Sequence, residues 1–494
     1  MRAVDQAAAE PVEVLIGRAG RAVASVALGM LGGAYGRRVV VVAGKGNNGA
    51  DGRAAAAVLS GRGVRVTVLD AAVLEAGTGR LLPPADLVID AAYGTGFRGR
   101  YAPPDPGGAP VLAVDIASGV DGDTGRAEPG GAVRAAVTVT FEAYKPGLLL
   151  GDGPAHCGRV EVAGIGLASG VAEVATAWLV TDDEVAWLPP RPADTHKWRS
   201  AVMVVAGSPG MLGAPRLVTR AAMRAGAGYV RLGVPGAPLE TLPASEAVGV
   251  SLPAHGWDTD AAEAAARCRS LVIGPGLGRS EEVTRAVSGL LRRADVPAVL
   301  DADGINAFAS VSALRGVVEK RTAPTVITPH EGELAHLTGA PPTADRLSAV
   351  RSVAAASGAV VLLKGSTTVI AAPDGRAYFV NSGSSRLATA GTGDVLSGLI
   401  GAFLAQGVAA LEAAALAAHV HGRAASRGRV VGLVAGDLPD LVSDWLSSAA
   451  AGAVAPGSGA GGLGGSGGAG AAGSVGLGAA GPGSASAGAT GGAR

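Results

Sequence analysis

The 494-residue chain has little cysteine, few aromatic side chains and no excess of either charge. Its two cysteines, Cys157 and Cys268, exclude a disulfide framework and a cysteine-rich metal site. Aromatic residues make up 3 %, which we attribute to compositional drift as much as to function. The 41 basic and 41 acidic side chains give a net charge of +0, whereas proteins that bind nucleic acid or anionic membranes usually carry a basic excess or patch. We therefore expect neither a nucleic acid nor a membrane as a partner.

The N-terminus also lacks the apolar core of a signal peptide, because Asp5, Gln6 and Glu10 interrupt it. No uninterrupted apolar run of membrane length is found later in the sequence. We therefore expect a soluble, cytoplasmic protein. A chain of this length can bury more than one core, so two or three domains are expected.

The first third of the chain alternates β-rich runs with helical segments. Residues 37–43 are predicted to form a strand, 51–60 an alanine-rich helix and 64–69 the next strand. Further β-rich runs follow in ADLVID, PVLAVD and AAVTVTF. This alternation predicts an α/β domain over residues 1–170, with helices on both faces of a mostly parallel sheet, as in a Rossmann-like three-layer sandwich. Ligands of such domains bind beyond the carboxyl ends of the strands.

A second α/β unit is predicted over residues 176–448. It follows a proline-containing passage and begins with a strand in AVMVVAGSPG and a helix over 214–225. Residues 451–494 consist almost entirely of small and apolar residues without a periodic apolar face, so burial cannot offset the entropy of ordering them. We predict that this last segment is a disordered tail without chemistry.

The stretch AGKGNNGADG, residues 43–52, has three glycines at the spacing of a dinucleotide-binding loop. Asp70 ends the second predicted strand, where such folds place the acidic residue that binds a ribose. Asn47, Asn48 and Asp51 change the chemistry, since amides and a carboxylate suit a polar ligand or a hard cation. A purely structural strand–helix turn, with an asparagine in the left-handed conformation, is the alternative.

The next two strands also end in polar loops. Asp90 precedes AAYGTG, and Asp115 precedes IASGVDGDTG, which contains Ser118. Since the carboxyl ends of parallel strands meet at one edge, we expect these side chains near Asn48. Each aspartate by itself is equally compatible with capping a loop, but three such loops in strand order favour a binding site.

In the second unit, ATAGTGDVLSGLIGAFLA leads from small residues into a long apolar helix that begins near Gly393. The free N–H groups at such a helix end bind anions, and Asp394 lies just inside it. A carboxylate beside a phosphate is unfavourable unless it acts as a base, so we expect Asp394 to deprotonate a hydroxyl that attacks a phosphoryl group. A simple acidic residue of the first turn is the alternative.

GKGNNGADG, IDAAYGTGFRGR, VDIASGVDGDTG and TFEAYKPGLL together resemble the YjeF N-terminal family, the epimerase domain of nicotinamide-nucleotide repair enzymes. The resemblance implies interconversion of the R and S hydrates of NADH and NADPH. It implies nucleotide binding by Asn47, Asn48, Gly49, Ala50, Asp51, Gly94, Thr95, Gly96, Phe97, Arg98, Gly99 and Arg100. It also implies a potassium ion held by Asn48, Asp90 and Ser118, and an acid/base role for Asp115, which contacts the nicotinamide end.

Three positions in this first unit leave alternatives open. Lys145 is a weaker acid/base candidate, and a solvated loop lysine is the other interpretation. The sequence has Ala50 where the family usually has glycine and Ala117 where it usually has proline. Both residues are small, so the cation ligands are retained while the loop geometry is less certain.

The motifs THK, VVAGSPGMLGAPRL, GPGLGR, LDADGIN, TPHEGEL, LKGSTTVI and GTGDVLSG resemble the ribokinase-like NAD(P)H-hydrate dehydratase family over about 177–447. The resemblance implies dehydration of the S hydrate at the expense of ADP or ATP with Mg²⁺, with Asp394 as the base. The implied hydrate site is Ala214, Gly276, His330 and Asp394, and the implied nucleotide site is Lys364, Gly365, Ser366, Thr367, Thr368 and Gly393.

Some assignments in this second unit also remain open. His330 is equally compatible with ordering its loop, and Glu331 and Glu333 with either a water-mediated magnesium contact or a solvated helix start. Residues 198–200, Trp-Arg-Ser, replace a stretch in which the family tends to have glycine. The alternatives for the whole chain are a small-molecule kinase with an N-terminal nucleotide-binding module, a dehydrogenase, and a first unit that only binds. The composition is also compatible with a homo-oligomer.

Overall fold

The computed structural model describes Val4 and residues 10–75, 81–243 and 245–453. The segment predicted as a tail lies outside the described residues from 454 onward. Its first three residues, 451–453, are helical, because the last helix extends to Ala453. The predicted start of the tail is therefore corrected by three residues.

The first sheet has six parallel strands in the order β2-β1-β3-β4-β5-β6. The strands are β1 Arg38–Ala43, β2 Arg65–Asp70, β3 Leu87–Ala91, β4 Val111–Val114, β5 Val137–Phe141 and β6 Arg159–Ala163. The helices are α1 Val12–Leu31, α2 Asn47–Gly61, α3 Ala71–Glu75, α4 Pro146–Leu149, α5 Gly153–Cys157 and α6 Ala168–Val174. β3, β4 and β5 are buried throughout, as continuous apolar strands of a covered parallel sheet should be.

The second sheet has ten strands in the order β10-β9-β8-β11-β12-β13-β14-β15-β16-β7. They are β7 Ala177–Leu179, β8 Ala201–Val205, β9 Tyr229–Gly233, β10 Val248–Val250, β11 Ser270–Ile273, β12 Ala298–Leu300, β13 Thr325–Ile327, β14 Val360–Leu363, β15 Thr368–Ala371 and β16 Ala377–Val380. The pairs from β10 to β14 are parallel, and β15 runs antiparallel to both neighbours. The chain therefore passes from the first sheet to the second between Ala163 and Ala177.

The helices of the second half cover this sheet. They are α7 Gly213–Arg224, α8 Asp258–Ala265, α9 Glu281–Arg293, α10 Asp303–Asn306, α11 Val311–Val318, α12 Glu331–Thr338, α13 Arg346–Ser357, α14 Thr392–Ala405, α15 Ala410–Arg427 and α16 Leu438–Ala453. Short 3-10 helices span Asp182–Trp187, Lys197–Ser200, Leu239–Thr241, Ser385–Leu387 and Ala435–Asp437. α14 is buried from Val395 to Ala405, which explains why its sequence is apolar on every side.

Among the described helices, α1 alone is long and apolar enough to cross a membrane by length and composition. Glu13, Arg18 and Arg21 interrupt its apolar run, so this helix was not predicted from the sequence. α1 packs against α2, with Leu15, Ala19, Val23 and Ala27 buried on its inner face. Its apolar face is thus part of the core of the first domain.

The packing of α1 on α2 depends on Gly20. A Cβ at this position would lie 2.5 Å from Ala54 Cβ and 2.8 Å from the backbone nitrogen of Ala55. We expect Gly20→Ala to destabilise the first domain by about 1–3 kcal/mol, because the added methyl group forces the helices apart. The matched control is Gly17→Ala in the same helix, where a Cβ would make only ordinary van der Waals contact, 3.6 Å from Arg21 Nη1.

The control should leave stability unchanged or raise it by up to ~1 kcal/mol through helix propensity. Hydrogen exchange of the α1 and α2 backbone amides measures the stability of both variants, because these amides belong to the first domain and report its unfolding separately from the second. Equal exchange in the two variants would contradict the packing argument.

Candidate active sites

The first site begins at the N-terminus of α2, which starts at Asn47. The predicted helix start at 51 was therefore four residues late, and neither asparagine adopts the left-handed conformation. Gly49 lies so close to the chain before it that a Cβ would be 1.9 Å from the Gly44 carbonyl oxygen. Ala50 N donates to Gly46 O at 3.0 Å, so residues 47–51 form the first turn of the helix. Free backbone N–H groups at this end suit an anionic ligand.

Asp90 and Ser118 form a buried pair at the same edge of the sheet. Ser118 donates to Asp90 through its hydroxyl at 2.7 Å and through its backbone N–H at 2.8 Å. Burial nevertheless raises the pKa of Asp90 to about 6, because these bonds only partly offset the loss of hydration. Both amide atoms of Asn48 are buried without a hydrogen-bond partner in the described part of the chain.

Asn48 lies beside Gly94, where a Cβ would be 3.4 Å from Asn48 Cγ. Of the three residues predicted to hold potassium, Asn48 and Ser118 follow β1 and β4, and Asp90 is the penultimate residue of β3. All three thus lie at one sheet edge. The unpartnered Asn48 oxygen has the chemistry of an alkali-cation ligand, since it retains both lone pairs.

Asp115 and Lys145 form the acid/base candidate of this site. Lys145 Nζ lies 2.7 Å from Asp115 Oδ1 and donates to Thr140 Oγ1 at 2.8 Å and to Phe141 O at 2.9 Å. Lys145 is only 7 % exposed, so its interpretation as a solvated loop lysine was wrong. Asp115 has φ 67°, a conformation that costs a non-glycine residue ~1–3 kcal/mol and is found at functional sites.

Asp51, on α2, is the third titratable residue of this site beside Asp115 and Lys145. It is 8 % exposed, and burial together with the charge of Asp115 raises its pKa to about 7. Asp51 can therefore exchange a proton near neutral pH beside the Asp115–Lys145 pair. Asp70, by contrast, accepts the Ala72 N–H at 2.8 Å and caps α3.

The predicted nucleotide loop, residues 94–100, follows β3. Phe97 packs on Tyr93 with ring centroids 4.5 Å apart, and Thr95 lies against Gly122. Arg98 is exposed and lies 3.2 Å from Asp121 and 3.0 Å from Asp123. A cavity of about 200 Å³ is lined by Phe97, Arg98, Gly99, Gly119, Asp121, Thr124, Arg126 and Glu128, and one of about 580 Å³ by Gly99, Arg100, Glu128 and Pro129. Gly96 is exposed on the same loop.

The second site is organised around Asp301, which follows β12 and is 1 % exposed. Asp301 Oδ1 lies 2.9 Å from Lys364 Nζ and accepts a hydrogen bond from the Thr328 hydroxyl at 2.8 Å. Asp301 Oδ2 accepts a hydrogen bond from the Ser397 hydroxyl at 2.6 Å. Asp301 lies in the LDADGIN motif but was not among the predicted site residues. An aspartate at the carboxyl end of a buried strand, as at Asp90 and Asp115, was the signal that could have identified it.

Asp394 faces this pair from the first turn of α14, which begins after Gly391 in the left-handed conformation. Burial and the neighbouring Asp301 raise the pKa of Asp394 to about 7, with Lys364 opposing them. Gly393 brings the helix end close, since a Cβ there would lie 3.6 Å from Lys364 Nζ and 3.8 Å from Asp301 Oδ2. The pKa of Lys364 is raised although burial opposes it, because Asp301 and Glu333 favour the charged form.

The other predicted residues lie around this centre. Ala214 and Gly276 are adjacent, because a Cβ on Gly276 would be 3.4 Å from Ala214 Cβ. His330 caps α12, accepting backbone N–H bonds from Gly332 at 3.0 Å and Glu333 at 3.3 Å. The loop-ordering role of His330 is therefore present, and Glu333 extends from this cap to 3.8 Å from Lys364.

Both glutamates of α12 are paired with cations. Glu331 pairs with Arg346, which also donates to Lys364 O at 3.2 Å. Glu333 is 7 % exposed, so the interpretation of a solvated helix start was wrong for this residue. Gly365 lies against the Arg346 guanidinium, Ser366 is exposed, and Thr368 begins β15. Thr367 is buried and donates to Leu149 O at 2.6 Å.

Comparisons with known proteins decide the family. Residues 202–446 match the family model described as NAD(P)H-hydrate dehydratase, and residues 12–81 and 69–147 match the model described as YjeF-related protein N-terminus. A bifunctional NAD(P)H-hydrate repair enzyme of Salinibacter ruber is 36 % identical over 500 residues, covering 87 % of this chain and 91 % of the relative. The chain belongs to the family of bifunctional NAD(P)H-hydrate repair enzymes.

Another repair enzyme, from Mycobacterium tuberculosis, is 41 % identical over 407 residues, covering 78 % of this chain and 82 % of its own. A crystal structure of ADP/ATP-dependent NAD(P)H-hydrate dehydratase from Bacillus subtilis, co-crystallised with ATP and Mg²⁺, matches with 30 % sequence identity and a TM-score of 0.46. The match covers 55 % of this chain and 98 % of the Bacillus subtilis chain. The two mostly parallel sheets and their covering helices confirm the predicted α/β class of both domains, and the family confirms the predicted pairing of a YjeF N-terminal domain with an NAD(P)H-hydrate dehydratase domain. The family overturns the dehydrogenase alternative that the glycine spacing left open.

The buried Asp301–Lys364 pair leads to a stability prediction. We expect Lys364→Met to lower the free energy of unfolding of the second domain by about 3–5 kcal/mol, since it leaves a buried carboxylate without its cation. Adding Asp301→Asn should recover part of this loss, because the unpaired charge is then removed.

Urea unfolding, followed by tryptophan fluorescence, measures the free energy of unfolding of both variants. All five tryptophans lie at or beyond Trp178, so the signal reports the second domain. An unchanged midpoint for Lys364→Met would contradict the pairing.

Proposed function

We propose that the first domain interconverts the R and S hydrates of NADH and NADPH and that the second dehydrates the S hydrate at the expense of ADP or ATP. The observation that carries this proposal is the position of Asp394. Its carboxylate has a pKa of about 7, lies at the N-terminus of α14 and is close to Asp301 and Lys364. This arrangement combines a base with an anion-binding helix end, as phosphoryl transfer to a hydroxyl requires.

In the dehydratase reaction, Asp394 takes the proton of the ring hydroxyl of the hydrate. The terminal phosphoryl group of the nucleotide moves to that oxygen, which turns ADP into AMP, or ATP into ADP. Inorganic phosphate then leaves with the C–O bond pair, while a proton is lost from the neighbouring ring carbon and NADH or NADPH is restored. The N–H groups of α14 and the Lys364 ammonium stabilise the negative charge that develops.

The nucleotide is held by the loop from Lys364 to Thr368 and by Gly393, and the hydrate by Ala214, Gly276 and His330. Glu331 and Glu333 are already paired with Arg346 and Lys364, so Mg²⁺ would be held chiefly by the nucleotide phosphates. When bound, this ion neutralises phosphate charge. Lys364 in turn is oriented by Asp301 through their 2.9 Å contact.

In the epimerase reaction, the Asp115–Lys145 pair gives a proton to the ring hydroxyl as the C–O bond breaks and water leaves with the bonding electron pair. The pair then takes a proton from water as the C–O bond re-forms on the opposite face of the ring carbon. Asp51 lies beside the pair and shares this proton near neutral pH. The N-terminus of α2 and residues 94–100 bind the nucleotide. Asn48, Asp90 and Ser118 fit a potassium ion through the unpartnered Asn48 amide oxygen, and the ion supplies positive charge for the anionic nucleotide. The cytoplasmic location, the homo-oligomer and the absence of nucleic-acid and membrane partners remain predictions.

Two aspartate variants assign the two activities. With an epimer mixture of NADH hydrate, the wild type should restore all reduced-nicotinamide absorbance when ADP or ATP is added. Asp394→Asn should abolish this recovery, because the base at the hydroxyl is removed. Asp115→Asn should stop it at the fraction present as the S hydrate, above the slow spontaneous epimerisation.

Asp444→Asn, at an exposed site on α16, is the matched control and should behave like the wild type. Folded wild-type protein that recovers no absorbance with either nucleotide would instead favour a kinase of another small molecule.

The dehydratase rate should depend on pH through Asp394. The base must be unprotonated, so kcat/KM should fall about tenfold per pH unit below an apparent pKa near 7. An ordinary aspartate would place this limb near pH 4. Initial rates between pH 5.5 and 8.5, corrected for spontaneous hydration of NADH, measure the profile. A flat profile down to pH 5.5 would contradict the role of the buried carboxylate.

A further inference from the structure

The residues that follow Lys145 connect the first active site with the core of the second domain. We call residues 144–150, which include α4, the bridging turn. Leu149 and Leu150 are buried in a core formed otherwise by second-domain residues, among them Met203 and Val205 of β8. The chain enters the second sheet only at β7, so these two leucines reach into that core from the first domain.

The bridging turn is held from both domains. Gly147 N donates to Gly122 O at 2.8 Å, which ties the turn to the first domain. On the other side, the Thr367 hydroxyl donates to Leu149 O at 2.6 Å, and this bond is buried. Thr367 belongs to the loop that the family resemblance assigns to the nucleotide, but its side chain is directed at the bridging turn.

The hydrogen bond from Thr367 is accepted by Leu149, which lies four residues after Lys145 in the sequence. Within the turn, Leu148 N donates to Lys145 O and Leu150 N donates to Pro146 O, both at 3.0 Å. One hydrogen-bonded turn therefore joins the Leu149 carbonyl to the backbone of Lys145. The Lys145 ammonium in turn lies 2.7 Å from Asp115 Oδ1, so a shift of the turn changes the geometry of this pair.

We infer that Thr367 is a positioning residue for Lys145, so that the second domain completes the epimerase site of the first. This inference rests on the proposed epimerase function. It gives the Thr367 side chain a task separate from nucleotide binding, and it makes epimerisation dependent on a residue of the dehydratase domain.

Epimerisation without any nucleotide separates the two roles of Thr367, because a residue that only binds ADP would leave this reaction unchanged. We expect Thr367→Val to lower kcat for interconversion of the hydrates roughly tenfold, since a misplacement of 1 Å at a catalytic group can cost about 10²-fold. KM should change little, because the nucleotide-binding end of the site is untouched. Thr367→Ser retains the hydroxyl and should restore kcat.

Thr325→Val is the matched control. Thr325 is a buried threonine of β13 whose hydroxyl has no hydrogen-bond partner among the described residues, so its removal should leave kcat unchanged. Hydrogen exchange of the Leu148 and Leu150 amides gives a readout other than activity. It should be faster in Thr367→Val than in the wild type, Thr367→Ser and Thr325→Val.

Each outcome of these experiments either supports or overturns the positioning role of Thr367. A wild-type kcat in folded Thr367→Val, or a loss that Thr367→Ser does not restore, would overturn the positioning role. If Thr367→Val does not fold, Thr367→Ser and the exchange of Leu148 and Leu150 in Thr367→Ala replace it, and unchanged exchange would overturn the inference. Failure of the proposed function is distinguishable, because the wild type itself would then not interconvert the hydrates.

Discussion

In a parallel sheet, every strand brings its C-terminal residue to the same edge, and both candidate sites depend on this constraint. In the first domain it collects Asn48, Asp90 and Asp115 at the carboxyl ends of three different strands. In the second it collects Asp301 after β12 and Lys364 after β14. These strands are buried and largely apolar, so the chemistry is confined to residues at or just beyond their carboxyl ends.

Burial of charge then determines how these residues behave. Asp301 is buried, and its partners Lys364, Thr328 and Ser397 make its charge tolerable. Burial raises the pKa of Asp394, and the Asp301 carboxylate raises it further, so the group that stabilises Lys364 also contributes to preparing the base. In the first domain, burial and the Asp115 carboxylate have the corresponding effects on the pKa of Asp51. Each site thus contains one carboxylate paired with a lysine and a second one that titrates near neutrality.

The bridging turn gives a physical reason for joining the two activities in one chain. Hydration of the nicotinamide ring produces two epimers and the dehydratase accepts one of them, so the activities are complementary without direct transfer of substrate. Contact between the domains also makes the position of Lys145 depend on packing by the second domain. Leu149 and Leu150 are packed by the second domain, and Lys145 lies in the same turn. Separating the domains would expose these leucines and release the segment that carries the epimerase lysine.

Residue types and their spacing were sufficient to identify two α/β units, the glycine-rich loops that lead into helices and the acid/base candidates Asp115 and Asp394, although the first helix begins four residues earlier than predicted. These features are local, because a strand, a loop and a helix start are each specified within about ten residues. The burial of Lys145, the importance of Asp301 and the direction of the Thr367 side chain could not be predicted in this way. Each depends on a partner more than 25 residues away in sequence, as Lys145 does on Asp115, Lys364 on Asp301 and Thr367 on Leu149. The sequence by itself therefore determined which groups can do chemistry, whereas the tertiary structure alone decided which of them are buried, paired and shifted in pKa, because desolvation and charge pairing arise only when distant segments pack together.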